Sequence, residues 1–289
     1  MIQHRILMLK LHFKTWLIAA LLAPVSLNAQ EILRINGSTT VNPVVTESAE
    51  ILKKENGLTI HVDTQGGSSG GISALGDGRV DIAMSSRPLN PADQAKYPKV
   101  KFHPTKIGAD AVAMIVSKDV WNGGIKALTR NQIKGIYEKK ITNWQQVGGP
   151  NRRIAFFNKE PGRGTWEVFA KWLYGKIENV PPVAHPEVGA NEEARNKVST
   201  SHGAISQLSA AWADGKTVFA LAIQSDDGKI IPPTAEHIAK GDYPMSRSLW
   251  LITNGPPTGN AKTLIDFVIS ERTHDIIHKH GYLTLADLK

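Results

Sequence analysis

The 289-residue sequence contains no cysteine. That excludes a disulfide framework, thiol catalysis, a cysteine-ligated metal and a lipid-anchored cysteine after a leader. Aromatic residues make up only 7% of the chain. They interleave with no basic stripe, and no Lys/Arg run reaches the usual length, so nucleic acid is not an expected partner. Apolar runs long enough to span a bilayer are also missing. "LIAALLAPVSL" (17–27) is too short, but it follows a basic stretch carrying Arg5, Lys10 and Lys14 and precedes the small residue Ala29. That order is a secretory leader, so residues 1–29 are expected to be removed after Ala29. The expectation is an exported periplasmic protein with no lipid anchor and no membrane helix. The 34 basic residues, less the three of the leader, against 26 acidic ones leave a net charge of +5, which suits a small anionic ligand.

What is present alternates strands with helices, so the expected fold class is α/β. Strands are expected at 32–35, 58–64, 80–86, 109–117, 153–158, 218–223 and 248–253. Helices are expected at 42–56, with Pro43 in the first turn, at 71–78, from Thr129 with a Thr129–Gln132 capping box, at 165–175, and from about 259 to 280. Trp166, Phe169 and Leu173 share one face of the 165–175 helix. A Pro-rich stretch (177–191) reads as a surface loop.

Three loops are of one kind. "INGSTTVNP" (35–43), "TQGGSSGGIS" (64–73) and "NKEPGRGTWE" (158–167) each follow a strand and open a helix. Each combines glycine with hydroxyls or a cation, and a helix N-terminus with bare N–H groups attracts anions. A fourth loop, "SSRPLNPAD" (85–93), sets Arg87 beside two serines. Any one of them could be an ordinary capped helix start. Together with Lys159 and Arg163 they point to one small oxyanion at the carboxyl ends of the strands. Gly66–Gly70 also matches the G-x-S-x-G elbow of serine hydrolases, with Ser68 as nucleophile. His185, His202 and His237 sit in no triad context, so a Ser68 hydrolase is the weaker reading. His274 and His278 are spaced for a metal, but a solvated helix end explains them better.

"GSTTVNP", "GGSSGGI", "VDIAMSSRPL", "KKITNWQQVGG", "PGRGTWEVF" and "LITNGPPTGNAKTLIDFVIS" occur in an order that resembles the periplasmic phosphate-binding proteins of ABC-type phosphate importers. The likeness runs from about residue 35 to 285. It implies a type II periplasmic binding-protein fold, in which two α/β lobes joined by two crossing strands close on a dehydrated phosphate. The implied division places lobe 1 at 30–110 and 248–289 and lobe 2 at 111–247. No catalysis, cofactor or required metal is implied. The implied partners are inorganic phosphate or a related oxyanion and the permease subunits of an importer, with the protein a monomer; a sensor or scavenger is the alternative role. Carried over by motif, the ligand groups are Ser38, Thr39 or Thr40, Ser68, Ser86, Arg87, Lys159, Arg163, Gly164 and Thr165. Three departures stand out. Ser86 replaces a family aspartate that accepts a proton from hydrogen phosphate and repels sulfate, so that discrimination does not carry over. Lys159 replaces an arginine, a point charge for a fork. Arg163 replaces a serine and adds a cation.

Overall fold

The computed structural model describes residues 32–289; the expected leader lies outside them. The chain opens with β1 (Leu33–Gly37), α1 (Asn42–Asn56), β2 (Ile60–Asp63), α2 (Gly67–Gly76) and β3 (Ile82–Ser85), whose strands run parallel in the order β2-β1-β3. Helix α1 starts with Pro43 in its first turn, buries Val44, Val45, Ser48 and Leu52, and stops at Gly57 in the left-handed conformation. Helix α3 (Pro91–Lys96) is opened by a reciprocal Asn90–Asp93 capping box.

Strand β4 (Phe102–Ser117) then carries the chain into its second half. There follow α4 (Lys118–Asn122), β5 (Ala127–Thr129), α5 (Arg130–Tyr137), β6 (Ala155–Lys159), α6 (Gly164–Tyr174), β7 (Glu187–Val188), α7 (Asn191–Thr200) and β8 (Ala204–Ser209). Strands β9 (Val218–Ala220), β10 (Ala222–Gln224) and β11 (Ile230–Ile231) and helix α8 (Ala235–Ala239) complete this half. The chain returns through β12 (Ser246–Asn254) to α9 (Gly259–Ile269) and α10 (His274–Lys279).

The main sheet runs β2-β1-β3-β12-β4-β8-β6-β7, with β9 also on β4. β12 pairs antiparallel with residues 102–111 of β4, whereas β8 pairs with residues 112–116. The apolar residues accordingly gather in two main cores. Leu33, Ile35, Val45, Ile82, Met84, Ile107, Leu249, Leu251 and Leu264 form one. Val112, Met114, Leu128, Ile133, Trp144, Phe156, Phe169 and Ile205 belong to the other. β4 changes core between Ile107 and Ala109, and the chain changes back between Met245, just before β12, and Leu249 within it.

Several elements differ from expectation, and β4 begins at Phe102 rather than at residue 109. Helix α2 begins at Gly67 rather than Gly71, because Gly66 caps it at φ +72°, where glycine is at ease. The expected strand at 218–223 divides at Leu221, β9 joining β4 and β10 joining β5. The expected surface loop at 177–191 contributes β7 to the sheet edge. The C-terminal helix breaks after Ile269, where Ser270 turns extended (ψ 162°) and Thr273 Oγ1 donates to the carbonyls of Val268 and Ser270. Hydroxyls that bond nearby carbonyls compete with helix continuation. Among the described residues no helix is long and apolar enough to cross a membrane.

Candidate functional site

Loops at the carboxyl ends of the parallel strands β1, β2 and β3 face those of β6 and β7, and all converge on the crossing of β4 and β12. At that crossing two buried charges are cross-strand partners, Asp110 of β4 opposite Arg247 of β12. Each side chain is 1% exposed. Arg247 donates through Nε (3.0 Å) and Nη2 (2.6 Å) to Asp110 Oδ2, and Ser209 Oγ donates to Asp110 Oδ1 at 2.9 Å. The rest of the guanidinium fans out to three hydroxyls. Nη1 reaches Ser86 Oγ (3.2 Å) and Thr165 Oγ1 (3.0 Å), and Nη2 reaches Thr40 Oγ1 (3.2 Å). All five N–H groups of the guanidinium are thereby used.

Those hydroxyls are therefore acceptors toward Arg247. Thr40 Oγ1 also accepts from Asn191 Nδ2 at 3.0 Å, and Ser68 Oγ accepts from the Ser86 N–H at 3.1 Å. Ser38 Oγ accepts from the Thr40 N–H at 3.2 Å. A hydroxyl has one proton to give, and those of Ser38, Thr40 and Thr165 have no acceptor among the described residues. The N–H groups of Thr39, Ser68, Gly164 and Thr165 are likewise without a backbone partner. The last three lie in the first turns of α2 and α6, where the helix itself supplies no carbonyl. Gly164 is required here, because a Cβ would stand 2.6 Å from both Ser68 Oγ and Ser86 Oγ. The ring thus consists of proton donors around a buried cation, an environment for an oxyanion that needs acceptors only from itself.

Lys159 is the second buried cation at this place. Its Nζ donates to the Gly189 carbonyl and, at 3.3 Å, to Asn191 Oδ1, so Asn191 ties it to Thr40. Burial first, then repulsion from Arg163 and Arg247, pushes its pKa down to about 7.

The structure brings Ser38, Thr40, Ser68, Ser86, Lys159, Gly164 and Thr165 together. Thr39 is half-buried between them, and Thr40 is the threonine whose hydroxyl enters the hydrogen-bond network. Arg87 and Arg163 are engaged elsewhere. Arg87 is gripped by Asp93 at 2.6 and 3.0 Å. Its Nε lies 2.7 Å from Glu167 Oε1, a charge contact too oblique for a hydrogen bond. Arg163 pairs with Glu160 at 2.8 Å and reaches the Thr64 carbonyl. Arg247, Asp110 and Asn191 are the residues that motif reasoning missed. Arg247 alone carried a signal, a charge in phase with an apolar face: Arg247, Leu249 and Leu251 alternate as buried positions of β12.

A serine-hydrolase site is not formed. Ser68 Oγ has Ser86 for company, while His185 bonds the Tyr137 carbonyl, His202 lies by Asp119 and His237 by Asp242. His278 lies 2.7 Å from Asp287.

The family model for a PBP superfamily domain matches residues 24–272. The phosphate-binding protein PstS of Borreliella burgdorferi is 30% identical over 261 residues, 88% of this chain and 90% of the relative. That of Bacillus subtilis is 29% identical over 263 residues, covering 89% and 82%. A candidate phosphate ABC transporter substrate-binding protein from Clostridium perfringens, crystallised with phosphate, superposes with TM-score 0.78 at 30% identity, covering 88% of this chain and all of that one. An ABC-type phosphate transport receptor from Vibrio cholerae gives TM-score 0.69 at 29% identity, covering 87% and 99%.

Proposed function

Because this chain belongs to the PBP superfamily and, within it, to the PstS family of phosphate-binding proteins, we propose that it captures inorganic phosphate between two lobes and delivers it to an ABC importer. It is not an enzyme, and its fold is the type II periplasmic binding-protein fold. The observation that carries the reading is the ring of donor hydroxyls and bare helix-start N–H groups around Arg247. Desolvated, charge-assisted hydrogen bonds of this kind are the strong ones.

We read residues 30–110 and 248–289 as one lobe and 111–247 as the other; support comes from the Asp110–Arg247 pair at this boundary, beside the change of core along β4. Within this reading Ser38, Thr40, Ser68, Ser86, Gly164 and Thr165 donate to the anion, with Thr39 through its N–H. Arg247 and Lys159 supply the charge. The protein acts as a monomer in the periplasm, exported on a leader that is then removed, and docks on the importer's permease subunits.

Calorimetric titration with phosphate, sulfate, arsenate and molybdate tests the reading. We expect phosphate to bind, and Arg247→Lys to weaken it by at least about tenfold, because a point charge cannot serve Asp110 and three hydroxyls at once. No heat with any of the four anions overturns the proposal.

A further inference from the structure

Arg87 is a buried cation that the ring does not use. Two hydrogen bonds to Asp93 and one to the Pro88 carbonyl (3.0 Å) fix its guanidinium. All of these groups follow β3 and belong to the first half of the molecule. The carboxylate it meets at Nε does not. Glu167 lies on α6, whose Phe169 and Leu173 are rooted in the other core. Glu167 Oε1 also accepts from Ser69 Oγ at 3.0 Å, and Ser69 Oγ accepts from Arg87 Nη2 at 2.9 Å. Arg87, Ser69 and Glu167 thus close a triangle across the cleft. Beside it the Ser69 N–H donates to the Gly162 carbonyl at 3.1 Å.

We propose that Glu167 is a closing latch, a residue that sets phosphate affinity without touching phosphate, by joining Arg87 and Ser69 only when the two halves are shut. The inference rests on the functional reading above. Parting the halves would leave Arg87 with Asp93 and return Glu167 to water, so the latch counts in the closed state alone. Its net strength is held down by two features. Burying a carboxylate costs solvation, and Glu167 Oε2 has no hydrogen-bond partner. A half-satisfied latch of this sort does not hold the cleft shut unaided, yet it slows reopening once an anion bridges the halves. Burial raises the Glu167 pKa, and Arg87 and Ser69 oppose that rise.

A double-mutant cycle on the full protein, titrated with inorganic phosphate in stopped flow, tests this. Glu167→Gln is expected to weaken binding by about tenfold through faster release, with the association rate and the melting temperature of the phosphate-free protein unchanged. Arg87→Gln is expected to cost affinity in wild type and to add nothing in the Glu167→Gln background. Ser69→Ala gives an independent variant that should reproduce the faster release. Equal losses from Arg87→Gln in both backgrounds would assign Arg87 to the anion and overturn the latch. So would unchanged release in Glu167→Gln and Ser69→Ala. Wild-type protein that binds no phosphate overturns the functional reading itself, and the latch with it.

Discussion

Lys159 has spent two hydrogen bonds inside the protein, on the Gly189 carbonyl and Asn191 Oδ1. A neutral amine has two N–H groups and an ammonium three, so a bond to an anion needs the protonated form. With its pKa pushed down to about 7, Lys159 is largely neutral at pH 8 while the cleft is closed and holds no anion. Phosphate binding at that pH should therefore draw in a proton. Titrations in buffers of different ionisation enthalpy will show more proton uptake for wild type than for Lys159→Met, the ligand's own ionisation being common to both. Equal uptake would refute the idea. The same shift bears on folding. In the unfolded chain the lysine keeps its proton up to the ordinary value of 10.5, whereas the folded one loses it near 7. Between those values the unfolded state holds more protons, so stability of the free protein rises with pH across that window and the penalty is full below it. Urea unfolding at pH 7 and pH 9 should show a wild-type gain that Lys159→Met lacks.

At the scale of elements, the site depends on where α2 and α6 begin. Ser68 lies in the first turn of α2 because Gly66 and Gly67 both take positive φ, and a Cβ on Gly67 would press to 2.5 Å from Arg163 Cδ. The first residue of α6 is Gly164, and Gly164→Ala would drive a methyl against two hydroxyls of the ring. We expect that variant to fold, since the two atoms closer than 3 Å are side-chain oxygens lining the site, and to bind phosphate at least about tenfold more weakly. A Gly164→Ala protein that binds as wild type would mean that the ring does not hold the anion. Much at this scale was legible in advance. Helix α1 spans 42–56 as its Pro43 and apolar spacing require, and the Thr129–Gln132 capping box opens α5. The hydroxyl loops were legible too, because glycine and serine at a strand-to-helix turn are a local pattern. Arg247 was not, since its meaning lies in partners far along the chain: Asp110 is 137 residues away and Thr40 is 207. Arg87 is a mixed case, with Asp93 six residues on in its own loop and Glu167 far along the chain. A cation among serines looks like an anion ligand until folding brings Glu167 to it from the other half.

For the whole molecule, the two cores meet along β4 and β12, at the facing loops, and at the C-terminal stretch, where Tyr282 belongs to one core and Leu283 to the other. An anion that accepts from Thr40 and Ser68 on one side and from Gly164 and Thr165 on the other makes bonds that exist only when the halves meet. Its binding energy is thus also closure energy, and a ligand that binds only the folded, closed form raises apparent stability by mass action. At free phosphate about 1,000 times the dissociation constant the gain is about 4 kcal/mol. For a chain of this length that corresponds to a rise in melting temperature of roughly 8–16 °C. Small-angle scattering should show the radius of gyration falling on the same titration. Because the charges are buried, the rise should survive 0.5 M sodium chloride, unlike that of an anion held on a basic surface. A melting shift that salt abolishes, or one with no change in radius, would place phosphate outside the cleft and separate its binding from the meeting of the two cores.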